Sequence, residues 1–549
     1  MSSDREIELK FLVPRPARKA LATEMARASA SVERRTLAAM YLDTPDRRLA
    51  REGIAWRLRR EGRRWVQTLK AGGAHALERF EHECLRPDAS VDSSLHAGTP
   101  VGDRLIKILR KAEAAGQLAG VRYRTEVRRI LRRVRTRGAV VEVAFDEGRI
   151  LVGDAAVPAG PAGSPGGPAG EAAGLAPQRS LERSPNAVPL RICEIEFELV
   201  SGSPLAMLAL AERWRKRFGL ILDPRTKAER GDLLAEGSPF PPLRKGRAPA
   251  YPRAASAREA YGAVLDECLD QIGRNAIGLV DGDPVLRVEH VHQMRVGIRR
   301  LRSGLRSFRG WVPEPAPDLV DGLRALFATL GLSRDADVLD TGVAASLASA
   351  GAPPLATQAA VPGPDPRETV CATEVQQLLL AWLGWRVGLA EVTLPAIEAA
   401  TPAEGAAAPG ETGAEAPVPV ARFPRLAERR LSRWHRAIAD AAKAFDSLDD
   451  TALHALRKRI KRQRYAAEFF APVLREGALA RYLKRLAAVQ DRMGELNDMI
   501  VARDRYQAMV AADPAAWFAL GWLAARIAEL KGLARPELKR LARADPPGA

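Results

Sequence analysis

The sequence predicts an α+β fold: an N-terminal antiparallel barrel or strongly curled sheet with flanking helices, then an all-α domain made of a duplicated helical bundle. Three observations predict it. Up to residue 235, segments alternate strictly between apolar and charged residues, which is the period of a β-strand. From about 256 to 540 the apolar period becomes helical. Within that second part, one basic segment occurs twice.

In chain order, strands are expected near residues 6–13, 38–43, 54–60, 64–70, 78–85, 122–135, 139–146 and 191–199. Helix-like stretches lie among them at about 16–29, 101–115 and 204–218. That many antiparallel strands in one domain favour closure or strong curling. Residues 155–189 are almost all Ala, Gly, Pro and Ser, which predicts a mobile insertion between two strands. The expected domains are therefore residues 1–235 and 256–545, joined by a Pro- and Arg-rich linker at 236–255. Two more Ala/Pro/Gly-rich stretches, about 349–367 and 399–420, read as flexible insertions between helices.

Composition narrows the function classes. The 549 residues suffice for about two to four domains with real cores. A net charge of +18 implies a polyanionic partner: nucleic acid, inorganic polyphosphate or anionic membrane. Cys84, Cys193, Cys268 and Cys371 are scattered without a CxxC pair and read as free thiols in a reducing compartment. The N-terminus runs straight into the first strand without an apolar leader, and no uncharged run reaches about 18 apolar residues. No spanning helix is expected, and the expected location is cytoplasmic.

The repeat reads His292-Gln-Met-Arg295-Val-Gly-Ile-Arg299-Arg300-Leu-Arg302 in one copy and His454-Ala-Leu-Arg457-Lys458-Arg-Ile-Lys461-Arg462-Gln-Arg464 in the other. Phe308 and Phe470 follow at matching places. Each copy precedes an acidic segment expected to be a turn: Asp335 to Asp337 after the first, Glu495 to Asp498 after the second. This pattern predicts two helical units related by a pseudo-twofold.

Charges in the first part segregate by strand. Glu6, Glu8 and Lys10 share one strand face, Arg57 and Arg59 another, Arg122 and Arg124 a third. Lys70 ends one strand, Glu81 and Glu83 alternate in the next, and Glu142 and Asp146 share a face. Glu194, Glu196 and Glu198 complete the set. A one-sided sheet ordinarily shows its charged face to water. Separate acidic and basic strands instead suit a tunnel with a metal pole and an anion pole. Glutamates would hold Mg²⁺ or Mn²⁺, and Arg and Lys would hold phosphoryl oxygens.

Residues 1–235 resemble the CYTH domain of the triphosphate tunnel metalloenzymes. The matching segments run in order: Glu6-x-Glu8-x-Lys10, Tyr41-Leu42-Asp43-Thr44-Pro45, Arg57-x-Arg59, Thr68-Leu69-Lys70 and Glu81-x-Glu83. Arg122-x-Arg124, an expected turn at Asp146-Glu147-Gly148, Glu194-x-Glu196-x-Glu198 and Thr226-Lys227-Ala228-Glu229-Arg230-Gly231 follow. Thr226 stands where the family has Ser. The resemblance implies an eight-stranded antiparallel tunnel that hydrolyses a triphosphate with Mg²⁺ or Mn²⁺. By position it implies metal binding by Glu6, Glu8, Glu194, Glu196 and Glu198. It implies triphosphate binding by Lys10, Arg57, Arg59, Lys70, Arg122, Arg124 and Lys227. Lys10, Glu196 and Glu198 are the expected catalytic residues.

On a helix, about 100° per residue gathers His292, Arg295, Arg299, Arg302 and Arg306 on one side. His454, Arg457, Lys461 and Arg464 repeat that side. Two such helices side by side would form a basic groove. Residues 256–540 resemble a CHAD domain, a helical family associated with inorganic polyphosphate. The resemblance implies a polyphosphate site at His292, Arg295, Arg299, Arg300, Arg302, His454, Arg457, Lys458, Lys461 and Arg464. Aromatics are only 5% of the chain, and single-stranded nucleic acid binding usually uses aromatic platforms, so polyphosphate is preferred. The resulting expectation is hydrolysis of inorganic triphosphate coupled to polyphosphate binding. The alternatives are a non-catalytic polyphosphate adaptor, or a hydrolase or cyclase acting on nucleoside or thiamine triphosphates.

Overall fold

The computed structural model describes residues 4–27, 32–73, 75–152, 188–338, 343–353, 363–389 and 423–548. The insertion expected at 155–189 lies, up to residue 187, outside the described residues, as do 354–362 and the loop expected at 399–420. The chain divides into two compact units. One holds residues 1–243 with 276–287 and 371–387; the other holds 244–275, 288–370 and 388–549.

The first unit is built on strands β1 (Arg5–Leu12), β2 (Val32–Asp43), β3 (Ile54–Glu61), β4 (Arg64–Gly72), β5 (Glu78–Arg86), β6 (Gly120–Thr136), β7 (Ala139–Leu151) and β8 (Leu190–Gly202). All pair antiparallel, in the order β5-β4-β3-β2-β6-β7-β8-β1. The opening strand closes the ring. Its first half, Arg5 to Ile7, pairs with β5, and its second half, Glu8 to Leu12, pairs with β8. A short β9 (Ile221–Leu222) adds beside β1. The result is a closed eight-stranded barrel.

Two local expectations are corrected. β2 begins at Val32 rather than at 38, because its first five residues extend along β6 beyond the end of β3. Asp146-Glu147-Gly148 is not a turn but the middle of β7. Glycine is needed there for another reason: a Cβ on Gly148 would lie 2.0 Å from the Glu126 carbonyl oxygen.

The outer wall is apolar and covered by helices. α2 (Arg48–Arg51) and α3 (Pro100–Glu113) bring Leu49, Val101 and Leu105 onto Leu42, Trp56, Leu58 and Leu69. Each such buried side chain contributes about 1.5–3 kcal/mol. α4 (Pro204–Phe218) starts on a Ser203 cap, and its Trp214 packs edge-on against Phe197 of β8. α1 is Arg18–Met25. α5 (Lys227–Ala235) starts at Thr226, whose hydroxyl accepts the Glu229 amide, as a serine would. The helix crosses one end of the barrel and sets Leu234 against inward Tyr41, Tyr123, Val127, Ile150 and Ile192. Gly231 allows this approach, since a Cβ there would lie 2.2 Å from the Tyr123 ring.

The helical region runs through α6 (Ala257–Asp281), α7 (Arg287–Phe308), α8 (Pro317–Val338), α9 (Ala344–Ser349), α10 (Pro366–Cys371), α11 (Thr373–Gly388), α12 (Phe423–Lys443), α13 (Asp450–Phe469), α14 (Glu476–Met509) and α15 (Ala516–Ala542). The two copies of the repeat are α7 and α13. Their matching phenylalanines, Phe308 and Phe470, meet edge-on at 5.3 Å inside an aromatic core with Trp311 and Phe423. The segments expected to be acidic turns are helical: Asp335 to Asp337 belongs to α8, and Glu495 to Asp498 to α14. Among the described residues, no helix is long and apolar enough to cross a membrane.

Candidate functional site

Side chains directly opposite in an antiparallel pair share a face, so register identifies the barrel interior. Tyr41, Arg57, Thr68 and Glu83 form one row across β2–β3–β4–β5. Lys70 and Glu81 lie opposite each other in the next inward row. Lys10 stands opposite Glu196, and Glu8 opposite Glu198, which is itself opposite Glu142. All lie on the face away from the helix-covered wall. The alternating charges noted in the sequence therefore line the tunnel and not the solvated surface.

Two acidic groups separate within the tunnel. The first is Glu6, Glu8, Glu81, Glu142 and Glu198. Lys70 Nζ lies 2.7 Å from Glu6 and 3.0 Å from Glu81, and Glu8 pairs with Arg79. Burial, with Glu8 and Glu81 adding to it against Lys70, pushes the Glu6 carboxyl up to about 9. Lys70 and Arg57 overcome burial at Glu81 and hold it at about 2. Glu198 forms no ion pair among the described residues. Burial and its neighbours Glu142, Glu81 and Glu8 push it up to about 7 against Lys70. Glu8, Glu198 and Glu142 stand opposite one another, and like charges so placed are destabilising, so a further cation would stabilise the group. Its donors are all carboxylate oxygens, the ligand type of Mg²⁺ and Mn²⁺.

The second group is Asp146, Glu194 and Glu196, whose oxygens converge within 4.8 Å. Cations of the protein fill it. Lys227 Nζ lies 2.7 Å from Asp146, 2.5 Å from Glu194 and 2.8 Å from Glu196. Arg129 grips Asp146 through two 2.7 Å bonds and reaches Glu196 at 2.7 Å. Arg230 closes on Glu194 at 2.8 Å. Burial opposes ionisation, yet Lys227, Arg129 and Lys10 hold Glu196 well below the ordinary carboxylate range. Glu194 and Glu196 thus belong to an ion-paired floor, while Glu198, two residues on, faces the first group.

Arg57 lies 3.6 Å from Glu81 and 3.8 Å from Glu83, and Arg59 lies 3.3 Å from Glu83. These two, with Lys10, Lys70 and Lys227, are brought together inside. Arg122 and Arg124 are not. Arg124 shares the outward face of Met40 and Leu151, and Arg122 pairs at 2.8 Å with Glu236, just past α5. A β-bulge where Tyr41 and Leu42 meet Tyr123 and Val121 takes Arg122 out of the ladder, and regular alternation from inward Tyr123 to inward Arg129 leaves Arg124 outward. Beyond it the inward arginine is Arg129, which sequence reasoning missed. The Arg128-Arg129 doublet does not reveal its phase. Arg79, which pairs with Glu8, was likewise not expected in the site.

A separate trio, His82, Cys84 and His96, lies outside the tunnel on the outward side of β5. Gln67 is fixed by two 2.8 Å bonds to the Asp92 backbone, so its free N–H points to His96 Nε2 at 2.9 Å. His96 Nδ1 must then carry the proton it shares with His82 Nδ1 at 2.8 Å. The trio is a closed hydrogen-bond network.

On α7, the guanidinium carbons of Arg295, Arg299 and Arg302 lie 4.7, 5.5 and 5.9 Å from the Phe327 ring of α8. On α13, burial and the nearby Arg299, countered by Asp498, pull Arg457 below its ordinary range. The two basic helices therefore approach each other. His292 is half-buried, His454 holds Asn497 at 2.8 Å, Lys458 is exposed, Lys461 is half-buried, and Arg464 pairs with Glu468 at 3.0 Å. Arg300 does not join them. It is buried, donates to the Arg247 carbonyl and lies 5.6 Å from the Phe469 ring. One residue after Arg299, it is turned about 100° into the core.

A CYTH domain model matches residues 4–231, and a CHAD domain model matches residues 263–507. The chain joins a CYTH domain to a CHAD domain. Among solved structures it is similar to the CHAD domain of the plant Ricinus communis, at 27% identity over 55% of this chain and 98% of that one, TM-score 0.40. It is also similar to the PH1819 protein of Pyrococcus horikoshii, at 16% identity over 42% and 99%, TM-score 0.23. A third likeness is to HpAC1 from Hippeastrum, an adenylyl cyclase candidate described as having a dominant triphosphatase activity. It is 15% identical over 42% and 96%, TM-score 0.27. The CYTH superfamily comprises enzymes acting on triphosphates, generally with a divalent metal.

Proposed function

We propose that the CYTH barrel hydrolyses inorganic triphosphate to diphosphate and phosphate, and that the CHAD domain binds inorganic polyphosphate. The observation that carries this reading is the carboxylate row of Glu6, Glu8 and Glu198, of which Glu198 has no ion pair among the described residues, beside Lys10, Arg57, Arg59 and Lys70 on one inner face. A pure anion binder gains nothing from carboxylates beside phosphate. Glu6, Glu8 and Glu198 would hold Mg²⁺ or Mn²⁺, which would neutralise phosphoryl charge. Lys10, Arg57, Arg59 and Lys70 grip the phosphoryl oxygens by charge-assisted bonds. Lys227 and Arg129 hold Glu196 ionised and fix the floor. Water attacks the terminal phosphorus and forms one P–O bond. The bridging P–O bond breaks, its electron pair leaves with diphosphate, and the water proton passes to a base. Glu198, which forms no ion pair among the described residues, is the carboxylate we assign to that proton.

A bare triphosphate is favoured because, among the described residues, the tyrosine pair at the α5 end offers no platform for an organic group. Tyr41 and Tyr123 stack on each other at 4.8 Å, and the Tyr123 hydroxyl is spent on the Ala228 carbonyl at 2.8 Å. Kinetics of the purified chain with Mg²⁺ and Mn²⁺ on triphosphate, ATP and thiamine triphosphate test this. Triphosphate should give the highest kcat/KM; equal or greater turnover of ATP or thiamine triphosphate would sink the substrate assignment.

A further inference from the structure

The β3–β4 hairpin, the start of β2 and the β6–β7 hairpin all lie at the end of the barrel opposite α5. They are consecutive around the wall, since the strand order there is β4-β3-β2-β6-β7. Arg63 and Arg64 occupy the first hairpin, Arg34 the start of β2, and Arg135 and Arg137 the second hairpin. All five are exposed, and none forms an ion pair among the described residues. The nearby carboxylates are already engaged: Glu33 with Arg35 at 2.6 Å, Glu61 with Arg59, and Glu142 with Arg133 at 3.4 Å.

A protein of +18 carries arginines in many places; their position and phase distinguish these. Alternation puts Arg135 on the inward face with Arg129 and Arg64 on the inward face with Val66, so these two continue the tunnel's basic wall outward, while Arg34, next to inward Arg35, adds positive charge on the outer face of the same end. A charged rim on a low-dielectric cavity focuses field along its axis and can raise capture of an opposite charge 10- to 1000-fold, by order of magnitude.

We propose that this arc is an electrostatic entry surface that draws the small polyanion triphosphate into the tunnel from the end opposite α5. It rests on the triphosphatase reading. The arc acts before chemistry, so it governs kcat/KM and leaves kcat alone.

The test is steady-state kinetics of the full chain on triphosphate with Mg²⁺, from low to high ionic strength. The variants change Arg34, Arg63, Arg64, Arg135 and Arg137 together to Ala, or together to Lys. Wild type should lose kcat/KM steeply as salt rises. The Ala variant should start about tenfold lower, meet the wild-type curve at high salt and keep its kcat. The Lys variant, which keeps the charge, should follow wild type and thereby exclude a folding defect. Parallel salt curves, or a Lys variant as impaired as the Ala one, would overturn the proposal alone. A wild type without triphosphate turnover at any salt would overturn the underlying reading and the proposal with it.

Discussion

Glu196 and Glu198 show how far two residues of one strand face can differ in role. Glu196 bridges Arg129 and Lys227, so Glu196→Gln leaves two buried cations short of a partner. Lys227 keeps Asp146 and Glu194, and Arg129 keeps Asp146, so the change should cost about 1–3 kcal/mol and appear as a lower thermal midpoint. Glu198 has no such partner, so Glu198→Gln should leave the midpoint unchanged or raised. Its Mg²⁺-dependent turnover should nevertheless fall at least about 100-fold. Matching stability losses in the two variants would refute the separation of floor from metal row. His96 provides a pH signature. Burial, with His82 beside it, pushes it down to about 4 from 6.5. A histidine depressed on folding contributes fully above 6.5 and loses that contribution as pH falls toward 4, roughly 3 kcal/mol in all. Denaturant midpoints at pH 7 and pH 5 should therefore differ more in the wild type than in His96→Gln. Equal differences would remove His96 from the acid response.

At the scale of elements, α5 gives the barrel one closed end. It depends on a Thr226 cap at its start and on the bare face of Gly231 against Tyr123. Gly231→Ala should lower stability by about 1–3 kcal/mol through overpacking, read as a shift in the barrel's thermal transition. An unshifted transition would mean that α5 is not seated on the ring. The strands show what alternation can and cannot convey. Period two placed Glu6, Glu8, Lys10, Arg57 and Arg59 on their faces because those strands are regular. It failed at Arg122 because a bulge takes that residue out of the ladder without changing composition, and it could not tell that the face of Arg124 is the outward one. The turn expected at Gly148 came from the motif resemblance, whereas the glycine answers to the neighbouring strand's carbonyl, which is distant in sequence.

For the whole molecule, both parts gather basic side chains, by different means. The barrel mixes cations with carboxylates, whereas α7 and α13 bring like charges together. Burial and neighbouring arginines pull Arg302 and Arg457 below their ordinary range, which is the electrostatic cost of gathering like charges on one face. Reversing charge at Arg295, Arg299, Arg457 and Lys461 together should remove polyphosphate binding in a calorimetric titration while leaving helical circular dichroism and triphosphate turnover unchanged. Unaltered binding would refute the basic groove.

The sequence by itself determined the two-part architecture, the strand order of charges and the duplicated helix. Those features rest on local periodicity and on motifs that survive without knowledge of partners. Tertiary structure alone decided that the charged faces look inward, because closure depends on β1 dividing its pairing between β5 and β8. It alone separated Glu198 from Glu194 and Glu196, exchanged Arg124 for Arg129, and withdrew Arg300 into the core. Each of those outcomes depends on a residue's partner across space: a bulge, an ion pair or a packed ring, none of which leaves a period in the chain.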